Sequence, residues 1–242
     1  MVSMRSLMLW TLLGSQALAA APAVEDLAAG FEQARGGAEA WRDLQTLVIS
    51  GTMQMDDLQS PMLLEFQRPD RVRLQFQVQG MTVVQAYDGE HGWSVAPFVE
   101  EGLPTLMFGD ELAEMREMAD FAGALADHKR KGNQLSLDGE EAVAGVPSWR
   151  IKVTKANGGA ELWWLAKDSL LALRTASKRV SSGQQIGVAS VLADYREVGG
   201  LLFPFSVTNT IQRDGAVLEQ VIIIDQIKLN PTIDNQRFRF PR

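Results

Sequence analysis

Asp88, Glu90 and His91 bring three possible metal or proton-transfer groups close together in the sequence. Carboxylate and imidazole side chains can ligate zinc or act as general acids and bases. However, Asp88-Gly89 is also a typical hairpin turn, and no second histidine follows at metal-ligand spacing. The other histidine, His128, precedes three cationic residues that would repel a metal ion. The pattern favours a turn at His91 and a solvated helix end at His128, and it predicts neither a metal site nor a cofactor.

Other catalytic arrangements find little support in the sequence. The paired carboxylates Asp56-Asp57, Glu100-Glu101 and Glu140-Glu141 are adjacent in the chain, whereas glycoside hydrolysis needs two carboxyl groups facing across a cleft. Neither a G-x-S-x-G nucleophile motif nor a glycine-rich phosphate loop is present. We therefore expect a protein that is not an enzyme. A hydrolase acting through Asp88, Glu90 and His91 is the remote alternative.

Composition excludes further classes of function. The 242 residues contain no cysteine, which excludes disulfides, thiol catalysis and a lipid-modified cysteine. The net charge of −7 argues against nucleic acid as a partner, because a nucleic-acid binder normally presents a basic surface to the phosphates. Length and hydrophobic content are sufficient for one large β domain with a sizeable core.

The first 19 residues have the pattern of an export signal. Arg5 precedes an apolar run from Leu7 to Leu13, and Ala17-Leu18-Ala19 has the small-x-small pattern of a signal-peptidase site. The run is too short to span a bilayer, which needs roughly 20 residues. We expect cleavage near Ala19 and a periplasmic protein that is not anchored by a lipid.

The remaining chain changes from a helical to an alternating pattern near Gln45. Residues 20–44 carry apolar side chains at intervals of three and four, interrupted at Gly36-Gly37. Residues 45–242 then form hairpins, and the clearest strand, Arg71 to Gln79, alternates apolar and polar side chains. Such alternation predicts an antiparallel sheet with one apolar and one wet face.

A helical segment at about 105–131 interrupts the strands. Asp110 is its expected N-cap, and an apolar stripe includes Met115 and Met118. After it, seven strands are expected at 133–138, 147–155, 160–166, 170–180, 184–195, 202–212 and 216–229, separated by glycine-rich turns. Evenly spaced short strands predict a single domain built on a barrel or a strongly curved sheet.

The order of short motifs resembles the LolA-like periplasmic lipoprotein carriers and the outer-membrane lipoprotein-sorting proteins. The first half contains Gln67-Arg68-Pro69, the strand from Arg71, Tyr87-Asp88-Gly89, Trp93 and Pro97 to Glu100. The second half contains Leu137-Asp138-Gly139, Val143, Gly145, Trp149 to Val153, Leu162 to Leu165, Asp194-Tyr195-Arg196, Gly199-Gly200, Pro204 and Phe238 to Pro241. The resemblance covers most of residues 45–242.

The resemblance implies a mainly β, α+β fold: a curved antiparallel sheet of about eleven strands forming an unclosed barrel, covered by helices. It also implies a carrier for lipid or lipoprotein acyl chains in an apolar half-barrel cavity, with components of inner- or outer-membrane transport as further partners. A lipid-sensing regulatory module of the same fold is the alternative. In the family, an arginine on an early strand helps to handle the acyl ligand, and Arg68 and Arg73 lie in the matching region.

Methionine is flexible and frequent on surfaces that accept varied apolar partners, so the methionines of the first half are candidates for the cavity. The expected cavity residues of the sheet and lid are Met53, Met55, Leu64, Phe66, Leu74, Phe76, Met81, Trp93, Met107, Phe108, Met115 and Met118.

Overall fold

The structure is a computed structural model that describes residues 21–98, 100–181 and 184–241. The expected export signal and its cleavage site at Ala19 lie outside the described residues. None of the helices within these ranges is both long and apolar enough to cross a bilayer.

Within these described ranges, four short helices accompany thirteen strands. The helices are α1 (Val24–Ala34), α2 (Ala38–Asp43), α3 (Gly109–Met118) and α4 (His128–Lys131), with 3₁₀ turns at Glu100–Gly102 and Asn235–Phe238. The strands are β1 (Thr46–Met55), β2 (Leu58–Gln67), β3 (Arg71–Val78), β4 (Met81–Tyr87), β5 (Gly92–Val95), β6 (Thr105–Met107), β7 (Gln134–Glu140), β8 (Ser148–Thr154), β9 (Ala160–Ala166), β10 (Ala172–Ser181), β11 (Gln184–Val198), β12 (Leu201–Arg213) and β13 (Ala216–Leu229).

All thirteen strands form one antiparallel sheet in the order β6-β5-β4-β3-β2-β1-β13-β12-β11-β10-β9-β8-β7. Every pair except β1 with β13 joins strands that are consecutive in the chain, as hairpin turns require. The sheet is curved and not closed, so β6 and β7 are its two edges. The expected curved, unclosed sheet is therefore confirmed, with thirteen strands rather than about eleven.

The helices cover the apolar face of the sheet, which is the concave one. Phe31 of α1 meets Trp163 of β9 edge to face at 5.6 Å, and Trp41 of α2 packs 4.9 Å from Phe203 of β12. Burial of each such side chain contributes roughly 1.5–3 kcal/mol. Packing against both β9 and β12 fixes α1 and α2 inside the curve of the sheet.

The two N-terminal helices are separated by Gly36-Gly37, where the interruption of the helical pattern is expected. Gly36 has φ +106°, and a Cβ there would lie 2.2 Å from the carbonyl oxygen of Gly200. A residue with a side chain would meet both backbone strain and this contact. The turn is therefore tied to glycine, and it sets the angle between α1 and α2.

The segment expected to form one helix at about 105–131 is divided in the structure. Phe108, rather than Asp110, is the N-cap of α3, and the helix ends at Met118. Residues 119–127 follow as turns, with Gly123 at φ +84° and Asp127 at φ +52°. We call residues 119–127 the lid turn.

Candidate functional site

An apolar cavity of about 290 Å³ lies between the sheet and the helices. We call it the concave cavity. Its sheet side includes Leu64, Phe66, Val207 and Ile222, and its helix side includes Phe31, Arg35, Trp41 and Asp120 to Gly123. Strands β2, β9, β12 and β13 all contribute to this one space, because the sheet curves around it.

Arg35 and Tyr195 give the concave cavity a polar end. Arg35 is buried, its guanidinium carbon lies 3.6 Å from the centre of the Trp41 ring, and Nη1 donates to the carbonyl of Ala122 at 3.0 Å. Burial lowers the pKa of Arg35 to about 10. The Tyr195 hydroxyl donates to the carbonyl of Ala172 at 2.7 Å, and burial raises its pKa to about 12. At neutral pH the cavity lining therefore contains the Arg35 cation and the neutral Tyr195 phenol, together with the Asp120 carboxylate, which Lys131 pairs.

Arg68 ties the turn between β2 and β3 to the covering helices. Its Nε donates to the carbonyl of Leu44 and its Nη2 to that of Trp41, both at 2.8 Å. The guanidinium carbon also lies 4.6 Å from the centre of the Phe121 ring in the lid turn. Burial lowers the pKa of Arg68 below its ordinary value. Arg68 also borders a second, smaller cavity of about 30 Å³ that Arg35 lines as well.

Several of the expected sheet residues share the face of the concave cavity. Leu64 and Phe66 line it directly. Met53 pairs with the cavity residue Ile222, and Leu74 pairs with Leu64, so both lie on the same face. Met55 and Phe76, two positions further along β1 and β3, continue this face and are half-buried. Met81 lies at the same end of the sheet and is 36% exposed.

Trp93 lies on the opposite face of the sheet. Across the neighbouring strands it is in register with Ala86, Arg73 and Glu65. Glu65 lies between the cavity residues Leu64 and Phe66 on β2, so its side chain is on the face away from the cavity. The indole Nε1 of Trp93 donates to the carbonyl of Phe238 at 2.7 Å. The expectation that Trp93 faces the concave cavity is wrong, because the strand alternation directs it towards the C-terminal segment.

Arg73 also lies away from the concave cavity, and it is not on a wet surface. Its Nη1 donates to the buried carboxylate of Glu65 at 2.8 Å, and Arg237 donates to the same carboxylate at 2.7 Å. Desolvation is the first cause that lowers the pKa of Arg73, followed by the charge of Arg237. The face expected to be wet is thus covered here by the turn Asn235–Phe238. Beside it lies an open polar cavity of about 790 Å³, lined by Arg73, Arg237 and Arg239 among others.

The residues expected from the helical segment do not line the concave cavity. Met107 and Met115 are buried in the core, whereas Phe108 and Met118 are 71% and 37% exposed. The lid turn covers the cavity instead, through Asp120, Phe121, Ala122 and Gly123. The position of α3 explains the difference, because α3 packs against β3, β4, β5 and β10, whereas the lid turn lies over the cavity.

The candidates for acid–base or metal chemistry lie in a turn and in a pair between a buried histidine and an exposed glutamate. Asp88 Oδ1 accepts hydrogen bonds from the backbone amides of Glu90 at 2.9 Å and His91 at 2.7 Å, which is how an aspartate stabilises a turn. His128 is buried, with Nε2 3.1 Å from a Glu25 carboxylate oxygen, whereas Lys129 and Arg130 are exposed. The expected solvated helix end is therefore wrong for His128. Across the described ranges, no three histidine, aspartate or glutamate side chains gather in a way that could hold a metal ion.

The expected set contains none of the second-half residues of the concave cavity. Phe203, Val207, Ile222 and Ile224 alternate on β12 and β13 as clearly as the expected residues do on β1 to β3. That alternation is a signal for them, whereas the concentration of methionine favours the first half. Arg35 had no comparable signal, because a lone arginine at a helix end is normally solvated.

Three solved structures share this architecture. A DUF1329 family protein from Desulfovibrio piger has 16% identity and a TM-score of 0.58 over 88% of this chain and 95% of its own. A LolA superfamily protein from Nitrosomonas europaea has 10% identity and a TM-score of 0.58 over 90% and 98%. A protein described as an outer membrane lipoprotein-sorting domain, from Vibrio parahaemolyticus, has 10% identity and a TM-score of 0.54 over 88% and 94%.

Neither a protein-family model nor a curated protein matches the chain. At identities of 10–16%, the likeness to the solved structures bears on architecture alone. Each match nevertheless spans nearly the whole of both chains, including the open sheet and the helices that cover it. The resemblance found in the sequence is therefore confirmed at the level of the fold, and the chain has the LolA-like fold.

Proposed function

We propose that the protein is a non-enzymatic periplasmic carrier that holds an acyl chain of a lipid or lipoprotein in the concave cavity. The observation that carries this proposal is the apolar lining of a cavity enclosed between sheet and helices. Acyl chains bind by removal of apolar surface from water, and each buried CH₂ group contributes roughly 0.8 kcal/mol. Components of inner- or outer-membrane transport that deliver or receive the chain belong to the same proposal.

The size of the cavity favours one chain at a time. Its volume of about 290 Å³ is at the lower end of the roughly 300–1,000 Å³ typical of ligand pockets. Beyond the helices, the half-buried Met53, Met55, Leu74 and Phe76 continue the apolar face. A chain longer than the enclosed space can continue along these side chains, beside the hydrogen-bonded Ser190, Asn209 and Gln220 on the same face.

The cover of the cavity is suited to exchange of a ligand. The lid turn is held in place by hydrogen bonds from side chains that include Arg35, Lys131 and Asn133, and by Leu125, which is fully buried in the core. It contributes no strand to the sheet, so it can move while all the β ladders stay intact. Opening therefore breaks these contacts together as one local event and leaves the sheet in place.

The test compares two neighbouring leucines of β2 that lie on opposite faces. Leu64 lines the cavity, whereas Leu63 pairs with Ser50 and Gln75 on the other face, and both are half-buried. Leu64→Trp fills the cavity and Leu63→Trp does not. We expect native mass spectrometry and lipid extraction of periplasmic protein to find bound lipid in the wild type and Leu63→Trp, and much less in Leu64→Trp.

Circular dichroism establishes that both variants are folded. The proposal fails if wild-type protein carries no lipid and binds no acyl probe. It also fails if Leu64→Trp, while folded, retains the full amount of bound lipid.

A further inference from the structure

Arg35 is a buried cation for which the protein supplies no matching anion. The side chain is 9% exposed, and its guanidinium is stacked on Trp41 and lies 5.0 Å from the centre of the Phe31 ring. Stacking on the ring covers the face of the guanidinium but provides no hydrogen-bond acceptor for the N–H groups along its edge. Burial of a charge is costly unless the charge is paired and hydrogen-bonded.

The edge of this guanidinium is mostly unused. Within the described ranges, its side-chain hydrogen bond is the one from Nη1 to the neutral carbonyl of Ala122, and it forms no ion pair with an aspartate or glutamate. A guanidinium has five N–H donors, so several remain. The side chain lines both the concave cavity and the adjoining cavity of about 30 Å³, which gives a ligand access to it.

The charged and titratable groups nearest to Arg35 are engaged elsewhere. The Asp120 carboxylate accepts two hydrogen bonds from Lys131 Nζ, at 2.8 and 2.6 Å. Glu32 Oε1 accepts from the backbone amide of Asp127 at 2.7 Å. Tyr195 donates its hydroxyl proton to Ala172. These groups moderate the charge of Arg35 from a distance, and none is positioned to neutralise it directly.

We propose that Arg35 binds the carboxylate of a long-chain fatty acid, held with its head group inward beneath the lid turn and its chain along the concave face. This inference rests on the proposed function and specifies its ligand. The acyl chains of a lipoprotein are esters or amides, which carry no charge, so a free carboxylate is the acyl form that a buried guanidinium selects.

The dimensions favour a carboxylate over a larger anion. The adjoining cavity of about 30 Å³ is lined by the cations Arg35, Arg68 and Lys131 and by the carboxylates of Glu32 and Asp127. Its small size favours a compact carboxylate over a substituted phosphate. From Arg35, the apolar lining extends to Val207 and Ile222, so that head and chain meet complementary chemistry in sequence.

The experiment uses ligands with the same chain and different heads. Palmitate, methyl palmitate and hexadecyl phosphate compete with a fluorescent acyl probe for the full mature chain below their aggregation concentrations. For the wild type, we expect palmitate to bind about tenfold to a hundredfold more tightly than its methyl ester, as a charge-assisted hydrogen bond gives. In Arg35→Met the ratio of the affinities for palmitate and methyl palmitate falls to near one, and Arg35→Lys retains part of the preference for palmitate.

Arg42→Met is the matched control. Arg42 pairs with Asp127 at 3.0 Å at the outer side of the lid turn, and it does not line the concave cavity. Its removal leaves the preference for palmitate unchanged. Should Arg35→Met not fold, the wild-type ratio and Arg35→Lys still test the inference.

Each contrary outcome has a distinct meaning. Equal binding of palmitate and its ester by the wild type overturns the role of Arg35 but leaves an acyl carrier. Binding of neither ligand overturns the carrier proposal as well. Tighter binding of hexadecyl phosphate than of palmitate overturns the assignment of the head group as a carboxylate.

Discussion

Replacement of Arg68 by methionine should open the cover of the concave cavity without unfolding the sheet. Arg68 donates to the carbonyls of Trp41 and Leu44 at 2.8 Å and lies 4.6 Å from the ring centre of Phe121. Methionine preserves much of the aliphatic stem but removes every one of these interactions. Both α2 and the lid turn lose their shared attachment.

The magnitude follows from the contacts. A hydrogen bond from a charged donor contributes roughly 1.5–3 kcal/mol, at the lower end where water can replace it. A partly exposed cation–π contact adds about 0.5–1 kcal/mol. With both hydrogen bonds taken at that lower end, the local opening free energy should fall by about 3.5–4 kcal/mol. Since roughly 1.4 kcal/mol is a factor of ten, amide exchange should accelerate by about 300-fold to 800-fold.

Hydrogen exchange followed by mass spectrometry measures this effect in peptides covering α2 and the lid turn. Arg71→Met is the control, because Arg71 also makes two hydrogen bonds, to the Asp88 carbonyl at 3.1 Å and to Gln67 at 3.0 Å, but contacts none of the covering elements. The reasoning is refuted if exchange in the lid turn is unchanged in folded Arg68→Met. It is equally refuted if Arg71→Met produces the same acceleration there.

Three further changes test other parts of the structure. Gly123→Ala should lower the free energy of unfolding by about 1–3 kcal/mol, and by more than Gly158→Ala. Both sites have positive φ, but only at Gly123 would an added Cβ meet a neighbour, 2.7 Å from Trp163. Equal losses of unfolding free energy in denaturant melts would contradict this. Hydrogen bonds from Arg150 and Trp164 lower the pKa of Glu141 below 4.5. The ionised Glu141 therefore stabilises the folded protein above pH 4.5, and this stabilisation is lost as pH falls through the folded-state pKa. Glu141→Gln should therefore lower the melting temperature at pH 7 and match the wild type at pH 2, and a difference that persists at pH 2 would refute the assignment. Burial raises the pKa of Tyr195 to about 12, so alkaline absorbance titration of folded protein should show a late phenol ionisation that Tyr195→Phe removes, and its persistence in the variant would exclude Tyr195.

The sheet was largely predictable from the sequence because its signals are local. Alternation and glycine turns placed β8, β9, β12 and β13 within two residues of their observed ends. The short edge strand β6 was assigned to the helical segment, because three residues carry too little alternation to be recognised. Its pairing with β5, a tertiary interaction, makes it a strand.

The division of the expected 105–131 helix has a similar cause. Residues 119–127 are rich in alanine, which favours helix on local grounds. In the structure, Phe121 packs 5.5 Å from Phe66, and Ala122 accepts the hydrogen bond from Arg35. These contacts to distant parts of the chain hold the lid turn out of the helical conformation, and no local pattern encodes them.

The candidate site was predictable as a face but not as a cavity. Strand alternation correctly grouped Leu64, Phe66 and Leu74, since the period of two is fixed by backbone geometry. It misplaced Trp93, which is on a short strand whose register depends on β4. The role of Arg35 depends on α1 lying inside the curve of the sheet, which only the assembled structure shows.

The lid turn occupies a particular place in the strand order, and this has a mechanical consequence. The two free edges, β6 and β7, are consecutive in the chain, and the connection between them consists of α3, the lid turn and α4. The covalent chain thus bridges the gap that hydrogen bonding leaves open. If the edges move apart, this bridge is placed under tension, and if it shifts, the edges follow. Displacement of the lid turn and the curvature of the sheet are therefore coupled through the backbone itself.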